Sequence, residues 1–307
     1  MNWKATELSL VDIKYSNKED GKNLISMRDT YVNNLTSFDL EARCGFRDAE
    51  IKDYLRLCRE NVLNWTDYEV SKINKIVLEI DSELKKRGLS IPYIDNINLV
   101  KTTSLEECGA MAYTRGNAIY VAKFTLNIPE EKLKEIITHE LFHILSRSSF
   151  SFKQEMYGII GFIALDKAIT LTNFNPRYHF ISNPDVGNLC SYIELKDLHE
   201  EKHRLMMTTM ASSDYHGGPF FSYIQPYFIE LNIECDVMTD EENLPLREPI
   251  HGKYYQEFIK KVGLNTGYMV NPEEILAENF RMAVLRGIHG VPNPEIIDNI
   301  YKVMKKN

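Results

Sequence analysis

The stretch "THELFHIL", residues 138–145, constrains this chain more than any other. His139, Glu140 and His143 fall in the pattern HExxH, and their neighbours are mostly apolar. The longer segment "PEEKLKEIITHELFHILSR" has a helical repeat, with Leu133, Ile136, Ile137, Leu141, Phe142, Ile144 and Leu145 available for burial. Pro129 suits the first turn of that helix. The expected result is a buried helix whose only polar notch is His139, Glu140 and His143. Two histidines four apart share a helix face, so both imidazoles can reach one ion at about 2.0–2.1 Å. The glutamate beside the first histidine can face a metal-bound water and act as general base.

The same pattern recurs as "HEEKH" at 199–203. Here Glu201 and Lys202 fill the inner positions, and the surrounding "KDLHEEKHRL" is dense in charge. It also lies between two expected strands. A solvated turn is the reading for this second stretch.

A catalytic zinc usually takes three protein ligands and keeps one position for water. A third histidine in the form HExxHxxGxxH is excluded, because those places hold Ser146 and Ser149. The other route draws a glutamate from a later helix, and "NPEEILAENF" at 271–280 offers Glu274 and Glu278. Spaced by four, one can bind the ion while the other orients a ligand histidine through its free N–H. Helix capping accounts equally well for Asn271, Pro272, Glu273 and Glu274. It does not account for Glu278, one turn further along an otherwise apolar helix.

"HELFH" followed far downstream by "EILAE" resembles the gluzincin zinc metallopeptidases, the thermolysin-like and lethal-factor-like enzymes. The resemblance implies a zincin-like α+β fold with a small mixed sheet, a β-rich insertion and a mostly helical C-terminal part. It implies one zinc ion held by His139, His143 and Glu274, with Glu140 as base and Glu278 behind the ligands. The substrate it implies is a peptide or protein. Tyr268, six residues before Glu274, is the expected oxyanion donor; His251, Tyr255 and His216 are weaker candidates. The chain departs from thermolysin-like enzymes in spacing, since Glu274 follows His143 by 131 positions (274 minus 143).

The rest of the chain is read more coarsely. Residues 1–60 form a polar segment with a helix in "DAEIKDYLRLCRENVL". Residues 61–175 hold the helix "DYEVSKINKIVLEIDSELKKRGL", the strand "NINLVKTT", the hairpin "AYTRGNAIYVAKF" and the HExxH helix, followed by a helix in "FKQEMYGIIGFIAL". "NAIYVAKF" takes the place of the gluzincin edge strand, against which a peptide can pair. Residues 176–250 form the β-rich insertion, with strands in "RYHFISNPD", "CSYIEL", "RLMMTTMAS" and "FFSYIQPYFIEL". Residues 251–307 are helical again and carry the glutamate ligand.

A hydrophobic fraction of 44% supplies ample core, while a net charge of −8 argues against nucleic acid or anionic membrane as main partner. No segment is long and apolar enough to span a bilayer. Five dispersed cysteines read as reduced thiols, which places the protein in the cytoplasm. Two other readings stay open on the sequence alone: a zinc hydrolase of a non-peptide amide, and a non-catalytic binding protein of the same fold.

Overall fold

A computed structural model describes residues 12–169, 180–211 and 213–305. It is α+β, with ten α-helices and two five-stranded sheets among the described residues. The first strand, β1 (Asp12–Tyr15), leads into four helices: α1 (Lys18–Ile25), α2 (Thr30–Asn33), α3 (Ser37–Cys44) and α4 (Ile51–Glu60). Only α4 is expected from the sequence. The other three are short, and side-chain caps from Asn17, Asp29 and Thr36 set their starts more than apolar periodicity does.

The strand β2 (Val62–Leu63) precedes the long helix α5 (Asp67–Lys86). A capping box on Thr66 and Glu69 starts α5, and Ile73, Ile76, Ile80 and Leu84 form its buried face. Then come β3 (Asn96–Thr102) and the hairpin β4 (Ala112–Arg115) and β5 (Ala118–Ala122), turning at Gly116 with φ of 58°. In the first sheet β1 and β5 both pair parallel with β3, whereas β4 runs antiparallel to β5. The sheet is therefore mixed, as expected. The edge assignment needs correction: β5 is an inner strand and β4 forms the border. With β3 along one side of β5 and β4 along the other, β5 has no free edge, and among the described residues the border beside it is its hairpin partner β4.

Helix α6 (Glu130–Ser148) carries the first HExxH, with Pro129 extended just outside its first turn. Ser149 ends α6 and caps α7 (Phe150–Ile159), accepting from the Phe152 N–H at 3.3 Å. The expected helix through "GFIAL" stops early, because Gly161 turns the chain at φ of 79° and Phe162–Ala164 becomes β6. That strand opens the second sheet, an antiparallel array ordered β10-β9-β8-β7-β6. Its other members are β7 (Ser191–Lys196), β8 (Lys202–Ala211), β9 (Ile224–Leu231) and β10 (Arg247–Pro249). Residues 177–179 of the expected strand "RYHFISNPD" lie outside the described residues. Its described remainder is a loop that meets β8 through an isolated Phe180–Met210 bridge and the Thr209 hydroxyl, which donates to the Ile181 carbonyl at 3.2 Å. The chain ends in α8 (Tyr255–Val262), α9 (Pro272–Leu285) and α10 (Pro294–Met304). Among the described residues no helix is long and apolar enough to cross a membrane.

The main core joins α5, α6, α7, α9 and α10 with one face of each sheet. Phe142 of α6 packs between Phe152 and Phe280, at ring-centroid distances of 6.2 and 5.5 Å. This sets the backs of α6 and α9 in apolar contact and leaves their polar faces opposed.

A second buried knot lies near the start of β4. Glu107 accepts from Tyr31 (2.8 Å), Tyr54 (2.5 Å) and Arg43 (2.9 Å), while Arg43 also binds Asp39 at 2.7 Å. Beside it, Glu106 is fully buried and only one of its oxygens finds a partner, the Tyr113 hydroxyl at 2.9 Å. Burial pushes the Glu106 carboxyl up to about 7. Because its folded pKa lies above the ordinary 4.5, its stabilising contribution is complete below that value and disappears as pH rises through 7. The shift corresponds to roughly 3 kcal/mol between the two limits. Glu106→Gln is expected to remove that slope, measured as urea unfolding at pH 5 and pH 8; an unchanged pH difference would exclude Glu106 as its source.

Candidate metal centre

The second half of α6 and the first turns of α9 bring the donors together. Asn271 caps α9 by accepting from the Glu274 N–H at 3.0 Å, and Pro272 occupies the first turn. This fixes where Glu273, Glu274 and Glu278 emerge, and it places two carboxylates at the positive end of the helix dipole. His139, His143 and Glu274 each present a ligand atom within 4.8 Å of the others. The Glu274 Oε2 lies 3.0 Å from His139 Nε2 and 3.7 Å from His143 Nε2. Tetrahedral bonds of about 2.0–2.1 Å separate ligand atoms by about 3.3 Å, between those two values.

Each imidazole is held from behind by its own carboxylate. His139 Nδ1 lies 2.9 Å from Glu278, which also binds Arg281 at 2.8 Å. His143 Nδ1 lies 3.3 Å from Glu273. With Nδ1–H donated rearward, both Nε2 atoms point forward with a lone pair. His143 Nε2 is buried without a hydrogen-bond partner. A desolvated ring nitrogen facing a second imidazole and a carboxylate suits a divalent cation.

The surrounding carboxylates favour a positive charge in this cluster, which a proton supplies when no metal ion does. Burial disfavours a charged His139, yet Glu274 and Glu278 outweigh it and raise that imidazole well above its usual value. Burial likewise works against ionised Glu273 and Glu278. Their bonds to His143 and His139, with the charges of Lys153 and Arg281, nevertheless pull both down to about 2. Glu140 differs: it is 5% exposed, its Oε2 has no partner, and burial followed by the charge of Asp185 pushes it up to about 8. Without a cation in the cluster this carboxyl therefore holds its proton at neutral pH, and a positive charge at the forward position would favour its release to serve as a base.

Tyr268 is half exposed on the rim of a cavity of about 370 Å³ that Glu274, Asn183 and Asp185 also line. The charge of Glu274, then burial, raises its phenol well above the ordinary range, so it remains a hydrogen-bond donor. His251 packs on Tyr255 with ring centroids 4.9 Å apart, and His216 is exposed; none of these three lines that cavity. The second motif begins in the exposed turn after β7 and ends in the first two residues of β8, Lys202 and His203. Its His203 joins Asp197 and Glu201 within 4.8 Å, with Nδ1 on Glu230 at 2.7 Å and Nε2 facing Asp197 at 3.5 Å, but Glu201 is exposed and no apolar helix anchors the group.

Four groups of the site escape sequence reasoning. Glu273 reads as a capping residue, yet it gathers Ser146 (2.9 Å), Tyr157 (2.5 Å) and His143 on one buried carboxylate. Ser146 stands out in the sequence only as a departure from another ligand pattern. Asn183, which donates to Glu274 at 2.8 Å, and Asp185 arrive from the 181–188 loop. The adjacent acids of "PEE" hint at Glu273; nothing in "SNPD" marks Asp185.

No family profile, curated protein or solved structure matches this chain.

Proposed function

We propose that this chain is a zinc-dependent peptidase of the gluzincin type, with a zincin-like arrangement of its first sheet and α6. The observation that carries the reading is the forward-facing set His139, His143 and Glu274, with a carboxylate behind each histidine and Glu140 beside them. Two nitrogens and one oxygen suit zinc in a site that leaves a position open. When bound there, the ion supplies Lewis-acid polarisation of a carbonyl and lowers the pKa of water.

The chain's own groups then divide the work. Glu140 accepts a proton from water and delivers it to the leaving nitrogen as the C–N bond breaks and the new C–O bond forms. Tyr268 donates to the carbonyl oxygen as negative charge develops there. Glu273 and Glu278 hold the imidazoles in one tautomer and one orientation. The five unpaired cysteines support a reducing compartment.

Elemental analysis of purified protein, paired with a peptide-library assay with and without chelator, tests this reading. Equimolar zinc and chelator-sensitive cleavage are expected in the wild type. Glu274→Ala is expected to lose both together. Undiminished zinc in that variant would exclude Glu274 as a ligand, and a zinc-loaded wild type that cleaves no peptide would exclude the peptidase.

A further inference from the structure

Asp185 is a charged group that the hydrolysis described above does not use. It sits on the turn 182–187, which is fastened to the site from several sides. Asn183 donates to Glu274 at 2.8 Å and accepts from the Asp185 N–H at 2.9 Å. Arg147, in the last turn of α6, donates to the carbonyls of Asp185 (2.8 Å) and Pro184 (3.4 Å), and Arg43 donates to that of Ser182 (3.1 Å). The turn is thus a fixed wall of the cleft.

A peptide entering this site meets two constraints. The first concerns the border strand β4. Thr114 directs its backbone N–H away from β5, toward the place where an extended peptide would pair. That N–H already donates to Asp185 Oδ1 at 2.6 Å, as does the Thr114 hydroxyl at 2.9 Å. An incoming chain can follow β4 beside Ala112 but must end at Thr114. The second concerns charge. Asp185 presents a carboxylate oxygen within 4.8 Å of donor atoms on Glu140 and His143. Glu273 has Lys153 at 3.9 Å, Glu278 has Arg281, and Glu274 faces the metal position. Among the described residues no lysine or arginine forms an ion pair with Asp185. A fixed, buried-side carboxylate at the closed end of a cleft is a receptor for a cation.

We propose that Asp185 receives the free α-ammonium group of the substrate, so that the site releases single residues from peptide N-termini. This rests on the peptidase reading. The α-nitrogen lies about 2.5 Å from the scissile carbonyl carbon of the same residue. With that carbonyl at the metal position, the ammonium falls within reach of Asp185. A lysine or arginine side chain would carry its charge well past it, and residues upstream of the ammonium would meet the 182–187 wall. The first residue's side chain enters the 370 Å³ cavity, whose apolar lining includes Met111, Phe221 and Val270. Chemically the step is hydrolysis: water oxygen bonds to the first carbonyl carbon, the C–N bond breaks, and Glu140 moves one proton to the leaving nitrogen. The ammonium on Asp185 keeps its protons.

The deciding experiment compares Leu-Ala-Ala-Phe with its N-acetylated form. Zinc-loaded wild type is expected to favour the free amine by roughly 10–100-fold in kcat/KM, the value of one charge-assisted contact. Asp185→Asn is expected to erase most of that preference with zinc content unchanged. Calorimetry on Glu140→Gln protein gives a readout without turnover: the free peptide should bind tighter by a similar factor, and adding Asp185→Asn should equalise the two. Equal cleavage of the acetylated peptide, or internal cuts in it, would overturn the role of Asp185 and leave the peptidase standing. No cleavage of any peptide would remove the peptidase, and the binding comparison would still decide Asp185. Should Asp185→Asn not fold, the wild-type preference between the two peptides decides alone: a preference for the free amine supports the assignment, and its absence overturns it.

Discussion

Replacing Glu140 by glutamine is expected to lower peptide hydrolysis by roughly 10²–10⁴-fold, the usual worth of a positioned general base. Zinc content should stay equimolar, because Glu140 is not among the three forward-facing donors. Glutamine keeps the shape and most of the packing of the buried side chain but cannot accept the proton. The same variant makes a second, opposite prediction for stability. Burial, then Asp185, pushes the Glu140 carboxyl up to about 8 from an ordinary 4.5. A raised folded pKa means that its stability contribution is complete below 4.5 and lost as pH rises through 8. Metal-free Glu140→Gln should therefore unfold at higher temperature than the metal-free wild type at about pH 9, with the gap closing toward about pH 5. Activity and stability trade against each other at this residue. A fully loaded variant with an undiminished rate would exclude Glu140 as the base.

Glu273→Ala carries the largest expected structural effect. The lost carboxylate leaves the buried Tyr157 and Ser146 hydroxyls and His143 Nδ1 without their shared acceptor, and the partly buried Lys153 without its ion-pair partner. Breaking a buried charge network from one side costs roughly 3–5 kcal/mol, read as a lower urea midpoint at about pH 7. With its rear anchor gone, His143 is expected to bind zinc roughly 10–100-fold more weakly, measured by competition with a chelating dye. The pH dependence has a definite sign. Glu273 is held down to about 2 although burial opposes it, so its contribution is present above 4.5 and lost as pH falls toward 2. The variant should show a shallower acid limb than the wild type. An unchanged midpoint together with unchanged zinc affinity would show that this carboxylate does not hold α6, α7 and α9 in register.

The donor set is legible in the sequence because it is local. HExxH and "EILAE" each put two donors four apart, and the helical repeat of their neighbours supplies the burial that makes such donors useful. The charged turn at 199–203 is separable on the same grounds: it has no apolar face to anchor it. The helices α1 to α3 are not legible because their starts are written in caps, and four to eight residues carry little periodicity. The border strand is misassigned from sequence because β5 looks like an edge until β3, paired from some twenty positions upstream, takes its other side.

By itself the sequence determined the chemistry of the donors and their spacing along each helix, since both follow from residue identity and helical geometry. Only the tertiary structure decided which acid stands behind which histidine. Glu273 and Glu274 are neighbours in the chain, yet opposite sides of one helical start send the first behind His143 and the second in front of it. It also decided that Asp185, with no pattern to announce it, reaches the site. That placement depends on Arg147, Thr114 and Asn183 meeting across about 70 residues of chain, a packing outcome that no local period encodes.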